Sequence, residues 1–129
     1  MSEKSVAQKL MIKEGRKVLF VNPPKNYKST LGELPPNVSV LKGPKEPVDI
    51  IQVFVTSRKE LEEQLPRLKV ALTPKGILWV SFLKGTSKLK GQLNLNRDSI
   101  AEYAETLGLE GVATISVDDD WSGLRFKVV

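Results

Sequence analysis

The sequence contains no cysteine and no histidine. It can therefore form no disulfide or thiolate nucleophile, and it has neither a histidine general base nor the ligands of a Cys/His zinc site. No apolar stretch approaches the roughly 18 uninterrupted residues that a membrane-spanning helix needs. Met1-Ser2-Glu3-Lys4-Ser5 has no secretory apolar core behind it. A soluble, cytoplasmic protein without a membrane partner is the expectation. Few thermolabile residues and eight prolines would suit a thermophilic source.

What is present is one domain's worth of chain. The 129 residues are 40% hydrophobic and 27% charged, enough for a single core and too few for two ordinary ones. Residues 1–129 read as one domain, with 1–15 as a helical extension packed on it. The net charge of +5 is uneven: residues 1–30 hold seven Lys/Arg against two acids, residues 61–90 six against two, and residues 91–129 three against seven. A local basic surplus attracts phosphates or nucleic acid, although a solvated basic face is the commoner outcome.

Val6, Ala7, Leu10 and Met11 recur at helical spacing before Gly15, predicting a short amphipathic helix. Lys17 to Asn22 is a nearly all-apolar strand of the kind buried on both faces of a parallel sheet. Val38 to Leu41 is a weaker strand, and Val48 to Val55 is the strongest. Ser57 with Glu60 forms a capping-box signal, after which Leu61, Leu65, Leu68 and Leu72 share one helical face. Pro66 should kink that helix or split it. Ile77 to Phe82 is another buried strand, followed by a long polar, basic stretch over 83–95. Asn96 is the expected cap of a helix bearing Ile100, Tyr103, Ala104 and Leu107, with Gly108 as its stop. Gly111 to Val117 and Leu124 to Val129 complete the chain as an antiparallel pair joined by residues 118–123.

This alternating order predicts an α/β, three-layer Rossmann-like fold, its sheet mostly parallel with a C-terminal antiparallel hairpin and one reversed edge element. On Val48-Asp49-Ile50-Ile51, Leu72-Thr73-Pro74-Lys75-Gly76-Ile77-Leu78 and the closing hairpin, the chain resembles a reduced class I S-adenosylmethionine-dependent methyltransferase core over residues 16–129. It is also similar to an uncharacterised family of small prokaryotic proteins, through Ile12-Lys13-Glu14-Gly15, Leu78-Trp79-Val80-Ser81, Ser87-Lys88, Arg97-Asp98 and Trp121-Ser122-Gly123-Leu124-Arg125-Phe126. The second resemblance implies the same fold and brings no catalytic residues with it.

In open α/β sheets ligands bind beyond the carboxyl ends of the parallel strands. The candidate ligand-binding residues there are Asn22, Pro23, Lys25, Tyr27, Ser57, Arg58, Lys84, Ser87, Lys88, Asp118, Trp121 and Ser122. An adenosyl or dinucleotide cofactor wants glycine after the first strand and an acid after the second. This sequence has Asn22-Pro23-Pro24 and Leu41-Lys42-Gly43 instead. No cofactor is therefore expected, and S-adenosylmethionine is disfavoured. The prolines instead start a short helix or stiffen a loop. Asn-Pro-Pro resembles the catalytic motif of amino-methyltransferases, but there the motif follows a later strand.

Lys84 to Lys90 combines lysines, hydroxyls and glycine, suitable donors for a phosphate or a nucleic-acid backbone, without P-loop spacing. Tyr27 and Trp121 are either base-stacking or packing residues. Asp118-Asp119-Asp120 can hold a hard cation only if its side chains converge, which consecutive carboxylates on a strand end do not favour. Arg125 is expected to pair with one of those acids or with Asp49. The leading reading is a non-catalytic Rossmann-like binding domain that acts through a protein or a phosphate-bearing, anionic ligand. One alternative is a small methyltransferase-like transferase with an atypical cofactor pose, using Asn22, Lys84, Ser87 and Trp121. The other is a nucleic-acid accessory protein using the basic loop.

Overall fold

The computed structural model describes residues 6–25, 27–43, 47–84, 97–118 and 120–128, with Lys28 described by its backbone alone. Ser87, Lys88, the remainder of the basic stretch and the expected cap Asn96 lie outside the described residues. Among the described residues no helix is long and apolar enough to cross a membrane.

Six strands form one sheet in the order β2-β1-β3-β4-β6-β5. In chain order the elements are α1 (Val6–Lys9), β1 (Lys17–Val21), α2 (Tyr27–Leu31), β2 (Ser39–Leu41), β3 (Val48–Phe54), α3 (Arg58–Ala71), β4 (Leu72–Leu83), α4 (Arg97–Thr106), β5 (Leu109–Ser116) and β6 (Trp121–Val128). Strands β2, β1, β3 and β4 run parallel, while β6 is antiparallel to both β4 and β5. The reversed strand is thus β6, and it lies inside the sheet. The edge position goes to β5, not to the reversed element as the sequence order implied.

Strand alternation divides the core into two clusters, one on each face of the sheet. Leu19, Ile51, Val53, Leu78, Val80, Leu124 and Phe126 pack with Leu61, Leu65 and Leu68 of α3 and Ile100 and Ala104 of α4. Val18, Ile50, Phe54, Trp79 and Trp121 pack with Val6, Ala7 and Leu10 around α1 and with Tyr27 and Leu31 of α2. Helices on both faces make three layers. The N-terminal segment is fastened by Trp79, whose buried Nε1–H donates to the Leu10 backbone oxygen at 2.9 Å.

Two strand starts and the course of one helix differ most from the sequence reading. Strand β4 starts at Leu72 rather than Ile77, because the chain pairs again as soon as α3 ends: Val48 faces Leu72 and Ile50 faces Ile77, so Thr73 to Gly76 forms an irregular insertion within the ladder. Strand β6 starts at Trp121 rather than Leu124, because the Asp118 carboxylate accepts the backbone N–H groups of Asp120 and Trp121 at 2.8 and 2.9 Å and completes the turn early. Helix α3 runs through Pro66 without splitting. The carbonyl that Pro66 cannot serve, that of Glu62, accepts the Tyr103 hydroxyl from α4 at 3.3 Å.

Candidate functional site at the carboxyl edge of the sheet

The parallel strands β1, β2, β3 and β4 end at Val21, Leu41, Phe54 and Leu83, and the register Leu83 to Trp121 brings the start of β6 to the same edge. The turn after β1, the cap of α3, Lys84 and the β5–β6 turn therefore gather where the sequence placed them. What the side chains do there differs from residue to residue.

After β1 the chain turns through Asn22, whose φ of 55° lies in the left-handed region. Asparagine tolerates that conformation, so the turn is made without glycine. Pro23 and Pro24 follow, and the Tyr27 N–H closes onto the Pro24 oxygen at 3.1 Å to start α2. Asn22, Pro23 and Lys25 are exposed. This turn presents a side chain and two donor-free residues where a bound cofactor would need close backbone approach and N–H groups.

Tyr27 is buried rather than offered to a ligand. Its ring meets Phe20 edge-on at 5.8 Å and Phe54 at 4.8 Å, and Phe54 meets Trp121 at 5.1 Å. Four rings from β1, α2, β3 and β6 thus form a continuous T-shaped series across the edge on one sheet face. The Tyr27 hydroxyl donates to Gln52 Oε1 at 2.5 Å, and Gln52 Nε2 donates to Ser81 Oγ at 2.9 Å. Gln52 and Ser81 are fully buried. Burial pushes the Tyr27 phenol well above its ordinary range, opposed by the Gln52 hydrogen bond and reinforced by the charge of Asp118. It serves as a neutral donor.

Ser57 caps α3: its Oγ accepts the Glu60 N–H at 3.1 Å, and Glu60 Oε1 accepts the Thr56 N–H at 2.9 Å and the Thr56 hydroxyl at 2.5 Å. Arg58 pairs with Glu62 at 3.5 Å and lies over the Tyr103 ring, 5.2 Å from its centroid, on the face carrying α3 and α4. Lys84 Nζ donates to Ser116 Oγ at 2.7 Å, and Lys9 Nζ reaches the Ser116 backbone oxygen at 3.3 Å. The Lys84 N–H also holds the Asp120 oxygen at 2.8 Å. Ser122 is paired between Phe82 and Ser116 in the sheet.

Two expected partners are corrected. Arg125 does not reach an acid among the described residues; its Nη1 donates to Met11 Sδ, and Asp49 instead accepts the Lys17 N–H at 2.9 Å. Asp118 is spent on its own turn, and no group of three or more acids suited to a metal occurs among the described residues. Phe20, Gln52, Phe54, Lys9 and Ser116 were not singled out by the sequence. Gln52 carried a signal, as the polar residue within the run Ile50 to Val55; the others carried none.

The resemblance to methyltransferases implies S-adenosylmethionine, and two of the usual cofactor-holding features are missing from this sequence. The glycine turn is absent and Leu41-Lys42 supplies no ribose acid.

The architecture is shared with solved methyltransferases. An S-adenosylmethionine-dependent methyltransferase from Aquifex aeolicus superposes with a TM-score of 0.66 at 21% identity, covering 96% of this chain and 88% of the other. A TehB-like S-adenosylmethionine-dependent methyltransferase from Corynebacterium glutamicum gives 0.63 at 17% identity, covering 99% and 89%. The 1,6-didemethyltoxoflavin-N1-methyltransferase of Burkholderia thailandensis, solved with bound 1,6-didemethyltoxoflavin and S-adenosylhomocysteine, gives 0.63 at 12% identity, covering 96% and 77%. No protein-family model matches the sequence, and no curated protein does. The chain has a class I methyltransferase-like, Rossmann-like fold, as its resemblance implied.

Proposed function

We propose that this methyltransferase-like domain is a non-catalytic binding module that engages a protein or an anionic ligand along the carboxyl edge of its sheet. The observation that supports this reading is the Asn22-Pro23-Pro24 turn, made through a left-handed asparagine and two residues without an N–H where a cofactor would need glycine and backbone donors. An anionic ligand is supported by Lys84 and Lys9, both directed at Ser116 beside that edge. The fully buried Gln52 and Ser81 are held in structural hydrogen bonds.

A second reading is favoured by the fold comparisons. Solved structures of similar architecture are S-adenosylmethionine-dependent methyltransferases, and one of them holds S-adenosylhomocysteine. Under it the chain is a small transferase with an atypical cofactor pose, using Asn22, Lys84, Ser87 and Trp121. The donor would be a methylsulfonium supplied by the cofactor; this chain's part would be to orient it and exclude water.

Calorimetry separates the two. The binding-module reading expects no micromolar heat with S-adenosylmethionine or S-adenosylhomocysteine, and a response to pyrophosphate that Lys84→Ala removes. Micromolar binding of either adenosyl compound overturns it in favour of the transferase. Retention of short RNA or DNA with a steep salt dependence would identify the anionic partner as nucleic acid.

A further inference from the structure

We propose that the cavity between β1, β2 and α2 is a binding site for a small, largely apolar ring compound, a site that shares Pro23, Pro24 and Tyr27 with the turn after β1 and extends from there along β2. Among its described residues the crossover from β1 to β2 contains one helix, the five-residue α2, too short to cover both strands, since five residues rise roughly 7.5 Å. Six residues, 42 to 47, then separate β2 from β3, so β2 remains the sheet's edge. The uncovered volume is about 800 Å³, walled by Phe20, Pro23, Pro24, Tyr27, Leu34 and Val40. Pockets that enclose small molecules run from roughly 300 to 1,000 Å³.

The lining chooses the ligand. Val18 faces Val40 in the register, so Val40 shares the sheet face of Val18 and Phe20, and it is 52% exposed on the edge strand. Tyr27 has turned its hydroxyl inward to Gln52, which leaves the body of the ring as the wall. The two prolines bring no N–H, and Ser29 contributes a hydroxyl. A multiply charged ligand would find few partners here and would lose its hydration. Phenyl, phenol and pyrrolidine walls suit the edges and faces of another ring.

The test titrates the full chain with N-phenyl-1-naphthylamine, a neutral ring compound that brightens in apolar surroundings. The expected result is a saturable rise at one site per chain, weakened at least about tenfold by Val40→Asp with no change in the urea midpoint. Val40→Trp, which fills the cavity without adding charge, should abolish the rise. The proposal is overturned if the cooperatively folding parent shows no saturable binding, or if both variants bind as the parent does. It is equally overturned if the signal follows chain association in sedimentation, since the occupant is then a second copy. Val40 belongs to this cavity and Lys84 to the anionic site, so loss of the dye signal in Val40→Trp with an unchanged pyrophosphate response, or the reverse in Lys84→Ala, lets each reading fail alone.

Discussion

The Tyr103 hydroxyl of α4 supplies a hydrogen bond to the Glu62 carbonyl, 3.3 Å away, that Pro66 leaves without its helical donor in α3. Two helices on one sheet face are thereby tied together at the point where one of them has a defect. Tyr103→Phe should cost about 1 kcal/mol, the usual net value of such a bond, while keeping the ring beneath Arg58. In a Pro66→Ala background, where residue 66 regains an N–H, that cost should shrink toward zero. A double-mutant cycle by urea unfolding measures the coupling, and additive effects would refute it.

Tyr27→Phe removes the donor to Gln52 and leaves Oε1 unpaired in the core. The expected loss is about 1 to 3 kcal/mol. Gln52→Leu added to that variant should cost less than the two single changes summed, because the orphaned oxygen goes with it. Denaturant midpoints for the three variants decide this.

Alkaline pH gives an independent view of the same residue. The folded state keeps the Tyr27 proton to a higher pH than the unfolded chain does. Its contribution to stability is fully present below the ordinary phenol value, about pH 10, and is lost as pH rises above it. Above that point the advantage of the parent over Tyr27→Phe should fall by about 1.4 kcal/mol per pH unit. Unfolding series at pH 9, 10 and 11 provide the measurement.

Trp79→Phe deletes the buried donor to the Leu10 oxygen. Helix α1 is four residues long and gains little from its own hydrogen bonds, so it depends on this anchor and on Val6, Ala7 and Leu10. Stability should drop by about 1 to 3 kcal/mol, and tryptic cleavage after Lys9 and Lys13 should accelerate ahead of cleavage elsewhere. Equal acceleration at all sites would mean global loosening instead.

Ser57→Ala removes the N-cap of α3, and a loss of about 1 kcal/mol is expected. Ser57→Asp should retain most of the stability, because a carboxylate can accept the same N–H. Thermal unfolding of both variants compares them.

Ser57 and Glu60 announce α3 because a cap acts over three residues, and Val48 to Phe54 announces β3 because burial on both faces leaves an unbroken apolar run. The β6 start was hidden, since Asp118, Asp119 and Asp120 read as one loop until the Asp118 side chain is seen to close the turn at Trp121. The ring series was hidden too: Phe20, Tyr27, Phe54 and Trp121 share no spacing and meet only through the sheet order. Val40 looked like an ordinary strand residue, and its exposure follows from how little chain crosses above it.

The insertion of β6 between β4 and β5 imposes an order on how the protein is made. During synthesis β5 emerges before the strand that will join it to the sheet, and the outer rim of β4 waits from Leu83 to Trp121 for its neighbour. Until residues 121–128 leave the ribosome, two strands carry open hydrogen-bonding rims. A nascent chain stalled before that point should depend on chaperone protection, and the domain should lock only when β6 slides into the gap.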